Sequence, residues 1–223
     1  MINATSYRNP KSLMVEAYRA VAAGLCGAVT GNSPQIIEIT SAVSGDGKST
    51  IAANLAIVTA QAGKKVLLVD CNFSHPTQHD IFGLKAQGLS DCVASGEDLG
   101  VFRQSTAQPG LDLVVAGDAD SLGVSPEAVR QMLDALAPSY DYILLDAASV
   151  LESASALSFA SAADGVLFVV KSGEARPKDA RLAKKRLAQT KTPILGCVLN
   201  CVKVDDDDIN IIVNKVEANN DAS

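Results

Sequence analysis

The decapeptide Ser41-Ala-Val-Ser-Gly-Asp-Gly-Lys-Ser-Thr50 constrains this chain more than any other feature. It follows the apolar, β-branched run Ile36–Thr40. It opens the segment Lys48–Ala62, which places apolar residues at Ile51, Leu55 and Val58 and meets a helix stop at Gly63. A glycine-rich turn between a buried strand and a helix presents backbone N–H groups at the helix start, which favours an anion. Gly45 and Gly47 let those groups turn inward with no Cβ in the way. Lys48 can then reach β- and γ-phosphates, and Ser49 can place its hydroxyl on Mg²⁺. Ser44, Asp46 and Thr50 complete the set expected around the phosphates. The pattern Gly-x-x-x-x-Gly-Lys-Ser lacks its first glycine, replaced by Ala42. A plain turn before a helix is the competing reading, and the flanking strand and helix weigh against it.

The remainder repeats the strand–helix alternation. Lys65–Asp70, Leu111–Val115, Tyr142–Asp146, Gly165–Val170 and Ile194–Asn200 read as strands. Residues 11–26, Pro126–Leu136, Ala154–Ala162 and Pro177–Gln189 read as helices. Several strands are continuously apolar, as in a parallel sheet covered on both faces. The expectation is an α/β fold, a doubly wound and mostly parallel sheet. With 223 residues and 48% hydrophobic content, the chain has enough apolar mass for one such domain. Its parts are a leading helix over 11–26, a nucleotide-binding core over 35–204, and an acidic then polar tail over 205–223, expected to be loose.

Composition excludes several classes. A net charge of −6 argues against a general nucleic-acid binder, which neutralises phosphates with many Lys and Arg. No apolar run approaches the ~18–20 residues of a membrane-spanning helix. Met1–Pro10 lacks the apolar core of a signal peptide, so a cytoplasmic location is expected, with membrane contact only at the surface or through a partner. The five cysteines contain no Cys-x-x-Cys pair and fall mostly in apolar segments, which reads as reduced core thiols. His75 and His79 have no cysteine cluster beside them for zinc.

Three polar residues stand where strands end. Asp70 ends Val-Leu-Leu-Val-Asp, and Asp146 ends Tyr-Ile-Leu-Leu-Asp. Ligands of open α/β sheets bind beyond the carboxyl ends of the strands. Such an aspartate either caps the next helix or serves the phosphates, holding Mg²⁺ directly or through water, or orienting an attacking group. Two of them together with the loop favour the second role. Asn200 ends the last strand, where its amide is either a turn residue or a partner for an adenine edge.

Over about Ser12–Asn200 the chain resembles the cytoplasmic catalytic domain of bacterial tyrosine kinases of capsule and exopolysaccharide synthesis, within the septum-site and partition ATPase group. The resemblance runs through Glu16-Ala-Tyr-Arg19, Ser44-Gly-Asp-Gly-Lys-Ser-Thr50, Val69-Asp-Cys-Asn-Phe-Ser-His-Pro76, His79-Asp-Ile-Phe-Gly83 and Gly88-Leu-Ser-Asp91. It continues through Tyr140-Asp-Tyr-Ile-Leu-Leu-Asp146, Ala163–Val170 and Leu195–Asn200. It implies a phosphate-loop fold of the deviant-Walker type, with ATP/ADP and Mg²⁺ as cofactors. Lys48, Asp70 and Asp146 would be catalytic, and Ser49, Asp70 and Asp146 would hold the metal. It further implies phosphate transfer from ATP to tyrosines, a membrane-embedded polysaccharide co-polymerase as partner, and a homo-oligomer.

The departures from that pattern are specific. Asn72 stands where the family's second acidic residue is usual, and an amide cannot act as a carboxylate base. Ala148-Ser149 replaces a proline pair, and Ala22 replaces the last arginine of a helix motif that supports subunit contacts. The four tyrosines are Tyr7, Tyr18, Tyr140 and Tyr142, so residues 143–223 hold none of the family's C-terminal tyrosine cluster. A tyrosine on another protein is then the expected acceptor. A catalytically weak, ATP-dependent switch for the co-polymerase is the alternative. A partition or septum-site ATPase is the third, opposed by Val43 where that subgroup has a lysine. The basic stretch Arg176–Lys191 reads as a solvated helix face or a contact for anionic lipid or an acidic partner, and Asp205–Asp208 as a solvated loop.

Overall fold

The strand before the phosphate loop lies inside the sheet, buried at every position, in a computed structural model that describes residues 3–9, 12–28, 35–118, 123, 125–202 and 213–214. In chain order the helices are α1 (Thr5–Arg8), α2 (Leu13–Ala28), α3 (Lys48–Gln61), α4 (Gln78–Phe82), α5 (Leu89–Ser95), α6 (Pro126–Leu136), α7 (Ala154–Ala162) and α8 (Pro177–Leu187). The strands are β1 (Gln35–Ser41), β2 (Val66–Cys71), β3 (Gln104–Ser105), β4 (Leu111–Val114), β5 (Tyr142–Ala147), β6 (Gly165–Lys171), β7 (Ile194–Asn200) and β8 (Val213–Asn214).

The sheet order is β3-β4-β2-β5-β1-β6-β7-β8. All neighbours pair in parallel except the two edges, β3 on β4 and β8 on β7. Period-two alternation splits the core. Ile37 and Ile39 face Ile51 and Leu55 of α3 on one side, whereas Ile36 and Ile143 face Phe159 and Leu133 on the other. Helices α1–α3 cover the first face; α5–α7 cover the second, where Ala183 and Leu187 of α8 also pack. This is the expected doubly wound, mostly parallel α/β fold.

Helix α3 departs from an amphipathic surface helix because it is buried almost all round, between the sheet and α1–α2. Its one interior amide is satisfied twice: Asn54 Oδ1 accepts from Ser6 N at 2.7 Å, and Nδ2 donates to Thr50 O at 2.7 Å. Gly63, at φ +84°, ends it as expected.

The differences from the expected elements are local. The leading helix runs over Leu13–Ala28 rather than 11–26, and α1 precedes it. Strands β2 and β5 each continue one residue past their aspartates, to Cys71 and Ala147. Helices α4 and α5 and the edge strands β3 and β8 are too short for a periodic signal. Of the tail expected to be loose, all but Val213–Asn214 lies outside the described residues, as do residues 203–204 of the expected core. On α8, Lys178, Arg181, Lys184 and Lys185 are exposed while Ala183 and Leu187 are buried, a solvated basic face over an apolar one. Cys71 and Cys92 are buried free thiols, Cys197 is half-buried and Cys201 is exposed. Among the described residues no helix is long and apolar enough to cross a membrane.

Candidate nucleotide site

The topology assembles the site. Strand β5 lies between β2 and β1, so Asp146 sits between Asp70 and the phosphate loop that leaves β1. In register, Asp146 pairs with Asp70 on one side and with Ile39 on the other.

The loop has the backbone its glycines allow. Gly45 and Gly47 have φ of +83° and +91°. A Cβ on Gly45 would meet nothing within 4 Å, so this stretch faces open space. A Cβ on Gly47 would overlap the Asn200 amide nitrogen. That nitrogen donates to Asp46 O at 2.8 Å. Asn200 therefore braces the loop from the end of β7, a role the sequence did not suggest for it. The Asp46 side chain is buried, and burial pushes its pKa up against the lowering influence of the Ser41 hydroxyl, the Lys48 charge and the backbone at Val43 and Lys171. Asp46 is thus a loop strut whose backbone alone is left for phosphate. Ser44 faces outward, with N donating to Glu152 Oε2 at 3.0 Å and Oγ to Oε1 at 3.3 Å. A carboxylate already rests on the loop's N–H. Thr50 is exposed in the first turn of α3.

Lys48 is buried, with its Nζ donating to Ser149 Oγ at 3.0 Å. Desolvation lowers its pKa against the raising effect of Asp146, Asp46 and Glu152. Ser149 thus holds the phosphate-loop lysine, at one of the positions where the resemblance places a proline.

Asp70 and Asp146 are both fully buried. Asp70 accepts from the backbone N–H of Asn72 (3.0 Å), Thr77 (3.1 Å) and Gln78 (3.0 Å). Burial nevertheless pushes its pKa up to about 6. Asp146 is raised to about 7, by burial and then by the charge of Asp70, although Gln78, Ser49 and Lys48 pull it down. Gln78 Nε2 donates to Asp146 Oδ2 at 2.7 Å and to Ser49 O at 3.0 Å. Asp146 Oδ1 is buried with no partner among the described residues. Asn72 enters this cluster through its backbone, not as a second acid.

These residues fit a nucleotide with a divalent cation. The loop N–H groups take an anion, and two adjacent buried carboxylates have one ammonium, Lys48, acting on Asp146. Among the described residues no group of three or more His, Cys, Asp and Glu could hold a metal alone. A cation here would be held by the carboxylates and Ser49 and completed by phosphate oxygens and water, the mode Mg²⁺ favours.

The structure brings together Lys48, Ser49, Asp70 and Asp146 as expected. Reading the sequence missed Gln78, Ser149 and Glu152. Gln78 lies between the motif segments Val69–Pro76 and His79–Gly83, and its position at the start of a helix beyond Asp70 is the available signal.

Comparison with known proteins places this geometry. The family described as "CobQ/CobB/MinD/ParA nucleotide binding domain" matches residues 37–222. Tyrosine-protein kinase YwqD of Bacillus subtilis is 33% identical over 208 residues, covering 91% of this chain and 87% of that protein. The kinase domain of Escherichia coli tyrosine kinase ETK superposes with a TM-score of 0.83 at 27% identity, over 95% of this chain and 84% of that one. The septum site-determining protein MinD of Pyrococcus horikoshii, solved with Mg-ADP, gives 0.66 at 25% identity, over 74% of this chain and 70% of that one. The chain belongs to the CobQ/CobB/MinD/ParA nucleotide-binding family and, within it, to the bacterial tyrosine-protein kinases.

Proposed function

We propose that this chain binds ATP with Mg²⁺ and transfers the γ-phosphoryl group to a tyrosine of another protein, in polysaccharide synthesis and export beside a membrane co-polymerase. The observation that carries this reading is the buried Asp70–Asp146 pair at the mouth of the phosphate loop, with Lys48 behind it. Transfer of this kind depends on positioning and charge more than on covalent chemistry. The loop N–H groups and Lys48 hold the β- and γ-phosphates. Ser49, Asp70 and Asp146 would hold Mg²⁺, which would supply positive charge against the phosphates. The tyrosine oxygen bonds to the γ-phosphorus, the bond to the β–γ bridging oxygen breaks, ADP leaves, and the phenolic proton passes to a carboxylate of the pair. A carboxylate held near neutrality is suited to that role.

The acceptor on another protein is supported by the tyrosine positions, which are Tyr7, Tyr18, Tyr140 and Tyr142, with none in residues 143–223. The polysaccharide setting and the co-polymerase rest on the motif resemblance. A second reading, a nucleotide-gated switch with little transfer, is favoured by Asn72, which supplies no second carboxylate.

The test is transfer from γ-labelled ATP with Mg²⁺, using the purified chain alone and with the cytoplasmic segment of a co-polymerase encoded nearby. Label on tyrosine, absent from Lys48→Met, is the expected result. ATP binding with no labelled tyrosine would leave only the switch. Nucleotide affinity unchanged in Lys48→Met would overturn the site itself.

A further inference from the structure

Gln78 ties the two carboxylates to the phosphate loop. It is fully buried at the first position of α4. Its backbone N–H serves Asp70, while its side-chain nitrogen bridges Asp146 Oδ2 and the Ser49 carbonyl. The orientation of this amide is fixed by chemistry. The Ser49 carbonyl can only accept, so the nitrogen must face it and Oε1 must point the other way.

That leaves Oε1 buried with no hydrogen-bond donor among the described residues. The far oxygen of the carboxylate it grips, Asp146 Oδ1, is in the same condition. A buried acceptor without a donor carries its full desolvation penalty, and native interiors rarely keep one. Here two of them sit on groups joined by one 2.7 Å hydrogen bond, beside the loop serine. A role as a plain strut accounts for the three bonds Gln78 makes and not for the oxygen it leaves bare. A hydrated divalent cation meets both needs: positive charge for the carboxylate and water O–H donors for the amide. Mg²⁺ in particular keeps several of its waters when bound.

We propose that Gln78 is a positioning residue of the cation site, its Nε2 turning Asp146 so that Oδ1 faces the cation and its Oε1 accepting from a cation-bound water. This rests on the nucleotide reading above and deepens it. It also gives the site an oxygen that Asn72, engaged with Asp70 through its backbone N–H, does not supply as a carboxylate.

The test is calorimetric titration of ADP into the full chain, once with excess EDTA and once with Mg²⁺, for the unaltered protein, Gln78→Met and Gln78→Glu. Methionine removes donor and acceptor at similar length; glutamate keeps the acceptor. In the unaltered protein Mg²⁺ tightens ADP binding. In Gln78→Met that tightening shrinks about tenfold or more, the usual effect of losing an outer partner of a metal ligand, while affinity in EDTA is kept. Gln78→Glu keeps the acceptor but loses the Nε2 donor to Asp146, so there the Mg²⁺ effect shrinks less than in Gln78→Met but is not full. A full Mg²⁺ effect in Gln78→Met overturns the proposal, and a lower melting temperature beside that full effect makes Gln78 a strut only. If Gln78→Met does not fold, Gln78→Glu decides, since a full Mg²⁺ effect in that variant shows that Nε2 does not position Asp146 and overturns the proposal. Failure of the unaltered protein to bind ADP under either condition overturns the nucleotide reading, and this proposal with it. ADP binding that Lys48→Met abolishes, together with a full Mg²⁺ effect in Gln78→Met, removes only the role of Gln78.

Discussion

Asp70 and Asp146 occupy one register position on adjacent parallel strands, so their carboxyls share a buried space. The strained partner is Asp146. Asp70 has three backbone N–H donors, whereas Asp146 leaves one oxygen bare and feels the Asp70 charge as well as burial. Burying two like charges side by side is stable only if one stays protonated or a cation arrives.

The ligand-free protein should therefore lose stability as pH rises. Both folded pKa values, about 6 and about 7, lie above the ordinary 3.8 of an unfolded aspartate. The folded chain binds more protons across the window from about pH 4 to about pH 7, and stability falls as pH climbs through it. Urea unfolding of the ligand-free chain at the two ends of that window should show the lower midpoint at the alkaline end. Asp146→Asn should flatten the difference, and a midpoint that rises with pH would contradict the coupled pair.

Glu38 makes a second, independent contribution of the same sign. It sits on β1, paired with Leu145 and Val166, fully buried with neither carboxyl oxygen partnered among the described residues. Burial raises its pKa well above the usual range, so its carboxyl folds protonated. Glu38→Leu should stabilise the chain at pH 8 by about 1–3 kcal/mol, the mutational scale for an unsatisfied buried polar group. The gain should shrink in acid, where no proton need be taken up on folding. Thermal melts at both pH values measure it; a destabilised variant at pH 8 would mean that Glu38 has a partner.

Ser149 competes with phosphate for Lys48. Its hydroxyl accepts a hydrogen bond from the ammonium at 3.0 Å. Ser149→Ala should lower ligand-free stability by about 1 kcal/mol. It should tighten nucleotide binding about fivefold, because the lysine no longer gives up a bond to meet the ligand. Titration calorimetry with a non-hydrolysable ATP analogue reads this directly, and weaker binding would mean that Ser149 guides the lysine instead.

The two loop glycines should answer differently to alanine. At Gly45 only the left-handed φ opposes a side chain, at about 1–2 kcal/mol, and the space around it is open. At Gly47 the same strain is joined by collision with the Asn200 amide that holds Asp46. Gly47→Ala should lose both nucleotide affinity and more stability than Gly45→Ala. Equal stability losses in the two variants would remove Asn200 from its bracing role.

Much of this was legible because parallel strands buried on both faces leave long apolar runs, and a phosphate loop between strand and helix has few alternatives. Lys48, Ser49, Asp70 and Asp146 were readable for that reason. Gln78 was not, since nothing local says that a glutamine at the start of a five-residue helix reaches a strand begun at Tyr142. Ser149 and Glu152 likewise acquire meaning only when β5 is placed beside β1. Asn200 reads toward an adenine edge, and its bond from Nδ2 to Asp46 O is a further contact that the sequence does not show. Polar side chains that act across the sheet carry no periodic signature.

The order of the strands also sets a schedule for the chain's birth. β1 and β2 are made early, with β2 complete at Cys71, yet they do not touch; the strand that fills the slot between them begins only at Tyr142. A nascent chain leaving the ribosome therefore exposes two apolar strand edges until β5 arrives, a long-range closure of the slow kind. Asp70 and the loop come within reach of a common ligand only when that slot is filled. A half-made or truncated copy lacks the assembled cleft, so no fragment ending before β5 can compete for the cell's nucleotide.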